Sequence, residues 1–396
     1  MDALETCLTE LIRIELCGAD PTELPFCSWL DFSDSRLFSG LQSIAAKHDL
    51  SHEIGAALMK CGLSHDSEWY AFFRAARIAS VTRYEQLNYD LQTICRVFSA
   101  CQKPYILLKG AAIRSDYPYP EMRTSSDIDI FVHEEDLAAF SDALVRNAGY
   151  KLIREAAYDV HLVSPTGLSF ELHYKLIDEA KYPAIHRVLS DVWEHAQPCG
   201  DDAYQLVLDP EYTYFYHIAH MVKHFEYGGC GIRSLMDSWV LLHRASPLDR
   251  AVLDPMLANA GLTAFETHIR GLCASWFRAS APEDAVLPLY TTMTDYILTG
   301  GMYGSISNRV KLGRRKAGKL SYLLSRLFVP YNRLKYEYPI LRKYPFLLPF
   351  FEVHRWFRLC SVRTVRRVAG EVSVNQTLTP EQQAELDEML SRLGIG

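Results

Sequence analysis

Apolar residues recur along the chain in two different periods, and the period of each stretch predicts its secondary structure. Up to residue 102 the spacing is helical, with Ser51 as the expected cap of the third helix. It predicts helices at Ala3–Leu16, Ser35–Lys47, Ser51–Met59 and Ser67–Ala100. The last stretch contains neither proline nor glycine, so it is one long helix or two that pack together. We expect this region to be a scaffold, with substrate recognition as the alternative.

Strand-like patterns begin after residue 102. The apolar run Tyr105–Leu108 predicts a buried strand, and Asp127–Val132 alternates carboxylates with apolar residues. Residues two apart on a strand share a face. We therefore expect Asp127 and Asp129 to project together, while the isoleucines that follow each of them enter the core.

A third carboxylate lies in a predicted hairpin. After a helix-like stretch, Glu134–Ala148, the chain reads as a strand His161–Val163, a turn Ser164–Gly167 and a second strand Leu168–Tyr174. The second strand carries Glu171 on one face. If this strand lies beside the strand of the aspartates, the three carboxylates form one cluster.

Carboxylates a few ångströms apart are costly unless a cation or a proton lies between them. Asp127, Asp129 and Glu171 together can hold two Mg²⁺ ions, which is an arrangement for in-line phosphoryl or nucleotidyl displacement. His173 shares the face of Glu171. We expect it to be hydrogen-bonded rather than catalytic.

A later helix carries three histidines. Asp209 is its expected cap and Pro210 its first residue. His217, His220 and His224 fall on one face of this helix. No glutamate stands in the place that a His-Glu-x-x-His zinc motif requires, so zinc binding is disfavoured.

The overall composition indicates only a broad class of protein. The 396 residues are 49% apolar and 22% charged, with ten cysteines and no Cys-x-x-Cys pair. This describes a globular protein with reduced thiols. Neither a signal peptide nor an apolar run near the length of a membrane span is present, so we expect a cytoplasmic location.

The basic residues concentrate near the C-terminus. Residues 309–367 hold 16 Lys and Arg against two acidic residues, although the whole chain has a net charge of −7. Aromatic residues interleave with these cations. Three interpretations stay open: a nucleic-acid groove, a segment at a membrane surface, or a tail packed on an acidic body. Four prolines between residues 330 and 349 disfavour one continuous membrane-lying helix. Thr379–Gln382 forms a capping box for a final helix.

The order of these motifs resembles a known family. A strand ending in Leu-Lys-Gly, then Ser-Asp-Ile-Asp and a strand with Glu-Leu-His, within Tyr105–Leu242, is similar to the uncharacterised bacterial nucleotidyltransferases of the polymerase-β-like superfamily. The resemblance implies an α+β fold, in which a small mixed β-sheet is embedded between helical N-terminal and C-terminal regions. It also implies two Mg²⁺ ions and an NTP donor, such as ATP.

The donor site departs from the superfamily at one position. Gly-Ser usually follows the first strand, whereas this chain has Gly110 and Ala111. The resemblance therefore implies that Lys109, or the backbone N–H groups after Gly110, contact the donor phosphates. Arg123 can clamp a phosphate in a bidentate manner, with pairing to Glu121 as the alternative.

The helical half is similar to the AbiEii/MenA-type toxin nucleotidyltransferases. Lys223 lies on one helix, and Arg233 and Asp237 lie on the next. The similarity implies that the lysine meets donor phosphates and that the aspartate orients the reacting groups. The glycine-rich Gly228–Gly231 between the helices is a hinge, a site of close ligand approach or a plain turn.

These observations predict four regions. They are a helical N-terminal domain (1–102), a nucleotidyltransferase sheet core (103–200), a helical domain that closes the nucleotide cleft (201–300) and a basic, aromatic-rich tail with a final helix (301–396).

The predicted function is Mg²⁺-dependent transfer of an NMP to an unknown hydroxyl or phosphate acceptor, with release of pyrophosphate. The acceptor can be RNA or a small molecule. One alternative is a non-catalytic nucleotide or nucleic-acid binding module that lost turnover with Ala111. A second is a peripheral membrane adaptor that binds through the tail.

Overall fold

The computed structural model of the chain describes most of its residues. They are 3–156, 158–277, 284–302, 304–313, 340–359 and 377–395, with single residues 315, 328, 329, 331, 334, 335, 338 and 374. The fold is α+β, as predicted: a seven-stranded mixed sheet is flanked by helices on both sides in sequence. None of the described helices is long and apolar enough to cross a membrane.

The elements follow one another in the order expected from the sequence, with additional strands. The helices are α1 (Ala3–Leu16), α2 (Ser35–His48), α3 (Ser51–Lys60), α4 (Glu68–Ala100), α5 (Lys109–Ile113), α6 (Leu137–Ala148), α7 (Pro183–Leu189), α8 (Pro210–Phe225), α9 (Ile232–Leu242), α10 (Arg250–Ala260), α11 (Thr263–Phe277) and α12 (Leu287–Gly300). The strands are β1 (Tyr105–Leu108), β2 (Asp127–Phe131), β3 (Lys151–Glu155), β4 (Asp159–Val163), β5 (Ser169–His173), β6 (Ala196–Cys199) and β7 (Asp202–Leu208).

The N-terminal helices agree with the apolar spacing. Helix α1 has the predicted bounds, and α4 is one continuous helix of 33 residues that begins with Ser67 as its cap. The predicted cap of α3 is wrong. Ser51 is the first helical residue, and the cap position belongs to Leu50, which offers no side-chain acceptor.

The strand order in the sheet is β3-β4-β5-β2-β1-β7-β6. Strand β2 is central, because it pairs antiparallel with β1 and parallel with β5. Strand β7 extends the sheet by pairing parallel with β1. Strand β2 thus lies between β1 and β5. Lys109, which follows β1, is on one side of the aspartates, and Glu171, on β5, is on the other.

Each face of the sheet packs against its own hydrophobic core. The face that we call the apolar face carries Ile128 and Ile130 and packs against α4 and α6, through residues such as Phe98 and Phe140. The opposite face, which we call the charged face, packs on helices that include α8 and α9 but carries Asp127 and Asp129. The period of two along each strand separates the two environments.

The basic tail falls largely outside the described residues. Within it, Ile340–Lys343 and Leu348–Leu359 are helical, and Phe346 and Phe357 are 76% and 74% exposed. The final helix, Pro380–Arg392, begins with the predicted capping box and packs against α12. The three interpretations of the tail stay predictions.

Candidate active site

The three predicted carboxylates lie on one face of the sheet. Strands β2 and β5 are parallel, and their register places Asp129 beside Glu171 and Asp127 beside Ser169. Because side chains at aligned positions of neighbouring strands point to the same side, Glu171 shares the charged face with both aspartates. The sequence predicted this geometry.

Asp129 is the most enclosed carboxylate of the group. Its Oδ1 accepts hydrogen bonds from Lys109 Nζ and from His173 Nε2, each over 2.8 Å. Burial alone would raise the pKa of Asp129, but the charge of Lys109 and the hydrogen bond from His173 hold this pKa well below its usual range. Asp129 is therefore an anion whose charge is matched by its neighbours.

Lys109, which reaches this carboxylate, is the first residue of α5 and directly follows β1. Its backbone has a φ of 48°, in the left-handed region that non-glycine residues rarely adopt. Burial lowers the pKa of the ammonium group, but the Asp129 carboxylate more than compensates, so the pKa is raised above its usual value. A strained backbone at such a position is typical of functional sites.

A group of side chains that could hold a metal ion forms around this pair. Asp129, Glu171 and His173 each offer a ligand atom, and these atoms lie within 4.8 Å of one another. His173 lies on the face of Glu171 and is hydrogen-bonded, both as expected from the sequence, but it is also a possible metal ligand. Asp127 is not part of this close group; its Oδ1 accepts a hydrogen bond of 2.8 Å from Ser125 Oγ. Burial and the charge of Asp129 raise the pKa of Asp127.

A second group, which the sequence analysis missed, lies on the same face. Asp159, His161 and Glu171 also offer ligand atoms within 4.8 Å of one another. Asp159 escaped notice because the predicted strand began at His161, two residues too late. The alternation of polar and apolar residues from Asp159 onward was the available signal.

The carboxylates open into a cavity of about 320 Å³ between the sheet and helices α8 and α9. Lys223, His220, His224 and Tyr216 line the wall that α8 contributes. Within the described part of the chain, Lys223 has no carboxylate within 4 Å. Burial, and then the charge of Lys109, lower its pKa. Burial also lowers the pKa values of His220 and His224, so Lys223 is the basic side chain that this wall presents to the acidic floor.

Arg123 and Asp237 are bound to each other. Arg123 donates from Nε to Asp237 Oδ1 over 2.7 Å and from Nη2 to Oδ2 over 3.0 Å, and Tyr117 donates to the same carboxylate. The partner of Arg123 is thus Asp237 and not Glu121. Both residues are buried and line the cavity. Their pair joins the loop before β2 to helix α9.

The three histidines of α8 have different surroundings. His217 Nε2 lies 2.9 Å from Ser238 Oγ, whereas the rings of His220 and His224 are in contact. Burial, followed by the charge of Lys223, lowers the pKa of His224 to about 4. Neither of the metal-binding groups found among the described residues includes these histidines.

The glycine-rich turn between α8 and α9 is closely packed. Asn308 Nδ2 donates to the carbonyl of Gly228 over 3.0 Å. Gly228 has a φ of 120°, and a Cβ atom there would approach Arg309 Cγ to 2.8 Å. Of the three interpretations, this packing favours the interhelical turn.

A second cavity, of about 630 Å³, lies beside the loop that leads to Asp127. It shares Ser125 and Ser126 with the first cavity and is otherwise lined mainly by α2, α3 and α4. Lys47 and Arg83 contribute positive charge to its wall. Their hydrogen bonds go to backbone carbonyls, of Leu298 for Lys47 and of Ser125 and Ser126 for Arg83.

Clustered carboxylates beside a cavity that lysines line are compatible with phosphoryl or nucleotidyl transfer. Comparison with protein families agrees, because a family described as uncharacterised nucleotidyltransferases matches residues 35–278. The chain belongs to this family, so it is a nucleotidyltransferase that acts on nucleotide substrates. No curated protein matches the chain. The similarity to the AbiEii/MenA-type toxins stays a prediction.

Proposed function

We propose that the protein transfers an NMP from an NTP to a hydroxyl or phosphate acceptor, with Mg²⁺ as the cofactor and pyrophosphate as the second product. One observation carries the proposal. The register between β2 and β5 puts Asp129 beside Glu171, on the face that opens into the cavity lined by Lys223. Asp127, Asp129 and Glu171 would hold two ions.

The residues fit such ions. The carboxylate oxygens of Asp129 and Glu171 converge, and Lys109 Nζ already occupies a position that a cation would favour. Burial, and then the charge of Asp129, raise the pKa of Asp127, and a bound cation would offset both effects. When bound, the ions would supply positive charge that offsets the negative charge developing on the donor phosphates during the displacement.

The donor triphosphate would lie between the sheet and α8. Lys109 and Lys223 would contact its phosphates as point charges, and the backbone after Gly110 would approach them closely. Arg123 and Asp237 satisfy each other, so we assign them the positioning of α9 against the carboxylate strand. On this basis we propose that residues 201–300 close the nucleotide cleft.

The second cavity is a candidate for the acceptor. Its lining includes Ser126, next to Asp127, and no residue of α8. The family match begins at residue 35, which is the first residue of α2, so it includes all three helices that line this cavity. A small acceptor would bind there, whereas an RNA acceptor would also need the basic tail.

The test is Mg²⁺-dependent transfer from α-³²P-labelled NTPs, together with pyrophosphate release. We expect signal from the wild-type protein and none above background from the Asp127→Asn, Asp129→Asn double variant. Asp142→Asn is the matched control, because this aspartate is exposed on α6 and pairs only with Arg146 in the described structure. Equal signal from all three proteins would refute the proposal.

The non-catalytic binding module is the second candidate. Its supporting observation is Ala111, which replaces the serine expected after Gly110. Isothermal titration with NTP and Mg²⁺ distinguishes the two candidates. Tight binding without turnover across a panel of acceptors would favour the module.

A further inference from the structure

We propose that the hydroxyl group of Tyr216, on helix α8, binds a phosphate group of the donor NTP by donating a hydrogen bond to it. This inference rests on the proposed function, because it requires the donor to lie between the sheet and α8. It adds to that function a donor-binding residue that carries no charge and is not among the site residues predicted from the sequence.

The three buried tyrosines of α8 differ in what their hydroxyl groups contact. Tyr212 donates to the backbone carbonyl of Val188 over 2.7 Å. Tyr214 donates to Oε1 of Glu266 over 3.3 Å. Tyr216 is only 5% exposed, yet its Oη has no hydrogen-bond partner among the described residues. Since a buried tyrosine hydroxyl usually has a partner, this one is expected to find it in a ligand.

The hydroxyl of Tyr216 opens into the cavity of the candidate active site. Tyr216 lines this cavity, and its ring belongs to the hydrophobic core on the charged face of the sheet. Its Oη is not among the unpartnered polar atoms that the described part of the chain seals from solvent. A ligand in the cavity can therefore accept the hydrogen bond, and the packed ring holds the hydroxyl in place before the ligand binds.

The charges around Tyr216 place it near the carboxylate cluster. Burial raises the pKa of Tyr216 to about 12, and the charges of Lys109, Asp129 and Glu171 also act on this pKa. The phenol therefore stays protonated at neutral pH and can donate a hydrogen bond. The ammonium group of Lys109 is already paired with Asp129. The Tyr216 hydroxyl beside that pair is a donor that the described protein groups leave to a substrate.

The geometry of α8 favours a phosphate as the partner. Tyr216 and Lys223 are seven residues apart, so they project from the same face of the helix, about 10 Å apart along its axis. Both line the cavity. We assign Lys223 to the donor phosphates, and a triphosphate that lies along this face would also pass Tyr216. A phosphate oxygen is an anionic acceptor, which forms stronger hydrogen bonds than a neutral one.

The experiment compares two substitutions on α8 that each remove one oxygen atom. Tyr216→Phe removes the unpartnered hydroxyl, and Tyr212→Phe removes one that is bonded within the protein. Isothermal titration of the full-length protein with ATP, GTP, CTP and UTP, each with MgCl₂, measures donor affinity, and calorimetry measures the melting temperature.

The two variants should respond in opposite ways. We expect Tyr216→Phe to bind the donor roughly 10- to 100-fold more weakly, because a hydrogen bond to a charged group is lost, and to melt no lower than the wild type. Tyr212→Phe should melt at a lower temperature and keep the wild-type affinity. Asp142→Asn replaces it as the control if Tyr212→Phe does not fold. Equal donor affinity of the wild type and Tyr216→Phe would overturn the inference.

Inorganic triphosphate distinguishes a contact with phosphate from a contact with the ribose or the base. If Tyr216 binds a phosphate, Tyr216→Phe should weaken the binding of inorganic triphosphate by about the same factor as the binding of the NTP. An effect on the NTPs alone would overturn the assignment to a phosphate.

The same proteins separate this inference from the proposed function. Binding of NTP that depends on Tyr216, without release of pyrophosphate, would contradict the transfer reaction and support the inference. Release of pyrophosphate with the same kcat/KM in the wild type and Tyr216→Phe would do the reverse. A wild type that binds neither NTP nor inorganic triphosphate would overturn both.

Discussion

The two faces of the sheet differ in what the same strands present to them. On β2, Ile128 and Ile130 enter a dry core, whereas Asp127 and Asp129 reach the cavity below α8. One face holds the sheet together by burying apolar area, and the other holds charges near one another at a cost in stability. Successive residues of the strand therefore alternate between side chains that stabilise the fold and side chains that line the cavity.

Placing a charged side chain on the apolar face should have the largest effect on stability. Ile130→Asp places a carboxylate in the apolar core without a partner. We expect a loss of roughly 5 kcal/mol or more in the free energy of unfolding, since burial of an unpaired charge is among the most destabilising changes. Urea denaturation followed by circular dichroism measures it. A wild-type midpoint would show that the two faces do not differ as described.

The converse change should affect activity and leave the fold intact. Asp129→Asn retains the side-chain shape but removes the charge that faces Lys109. We expect kcat/KM for nucleotide transfer to fall on the order of 10³-fold, about 4 kcal/mol of transition-state stabilisation. The melting temperature should fall as well, because the Lys109 ammonium loses its buried counterion, but the protein should stay folded at the assay temperature. Loss of the folded circular-dichroism signal at that temperature would argue for a structural role of Asp129.

The Arg123–Asp237 pair also lines the cavity, but we expect it to stabilise the fold. Asp237→Asn leaves the Arg123 guanidinium buried without its counterion. We expect the free energy of unfolding to fall by about 3 kcal/mol. Asp116→Asn is the control. Its carboxylate pairs with Arg244 nearer the surface, where such a pair contributes about 1 kcal/mol or less.

The smallest expected effect is a pH dependence of that pair. Although burial raises the pKa of Asp237, the charge of Arg123 lowers it further, so the folded-state pKa lies below the usual value. The stability from the pair is therefore fully present above a pH of about 4 and lost as the pH falls below it. The difference in urea midpoint between wild type and Asp237→Asn should shrink over this range. A constant difference would contradict the assigned ionisation.

Local patterns predicted the parts of the fold that depend on periodicity. The helical character of α4 and the strand β2 followed from spacing. The position of Glu171 beside the aspartates followed only on the condition that its strand lies next to β2. Strand β3 did not, because all five residues of Lys151–Glu155 are exposed and lack alternation. Strand β6 contains Pro198 and lies at an edge, where proline is tolerated.

Contacts between residues far apart in the chain could not be predicted from the sequence. Asp237 lies 114 residues from Arg123, and only the packing of α9 on the loop before β2 shows that they pair. Charge complementarity alone left Glu121 as an equally suitable partner. The position of His161 against Glu171 likewise depends on the β4–β5 register, which an alternation pattern leaves open by two residues.

The length of α4 has a consequence for dividing the protein. At 1.5 Å per residue, its 33 residues extend roughly 50 Å. Its first half packs with α3, and its second half supplies Leu87, Ile94 and Phe98 to the apolar face. A fragment that starts at residue 103 would lack α4 and would expose the apolar face of the sheet to water. Truncation from the N-terminus should therefore yield aggregates rather than a smaller enzyme.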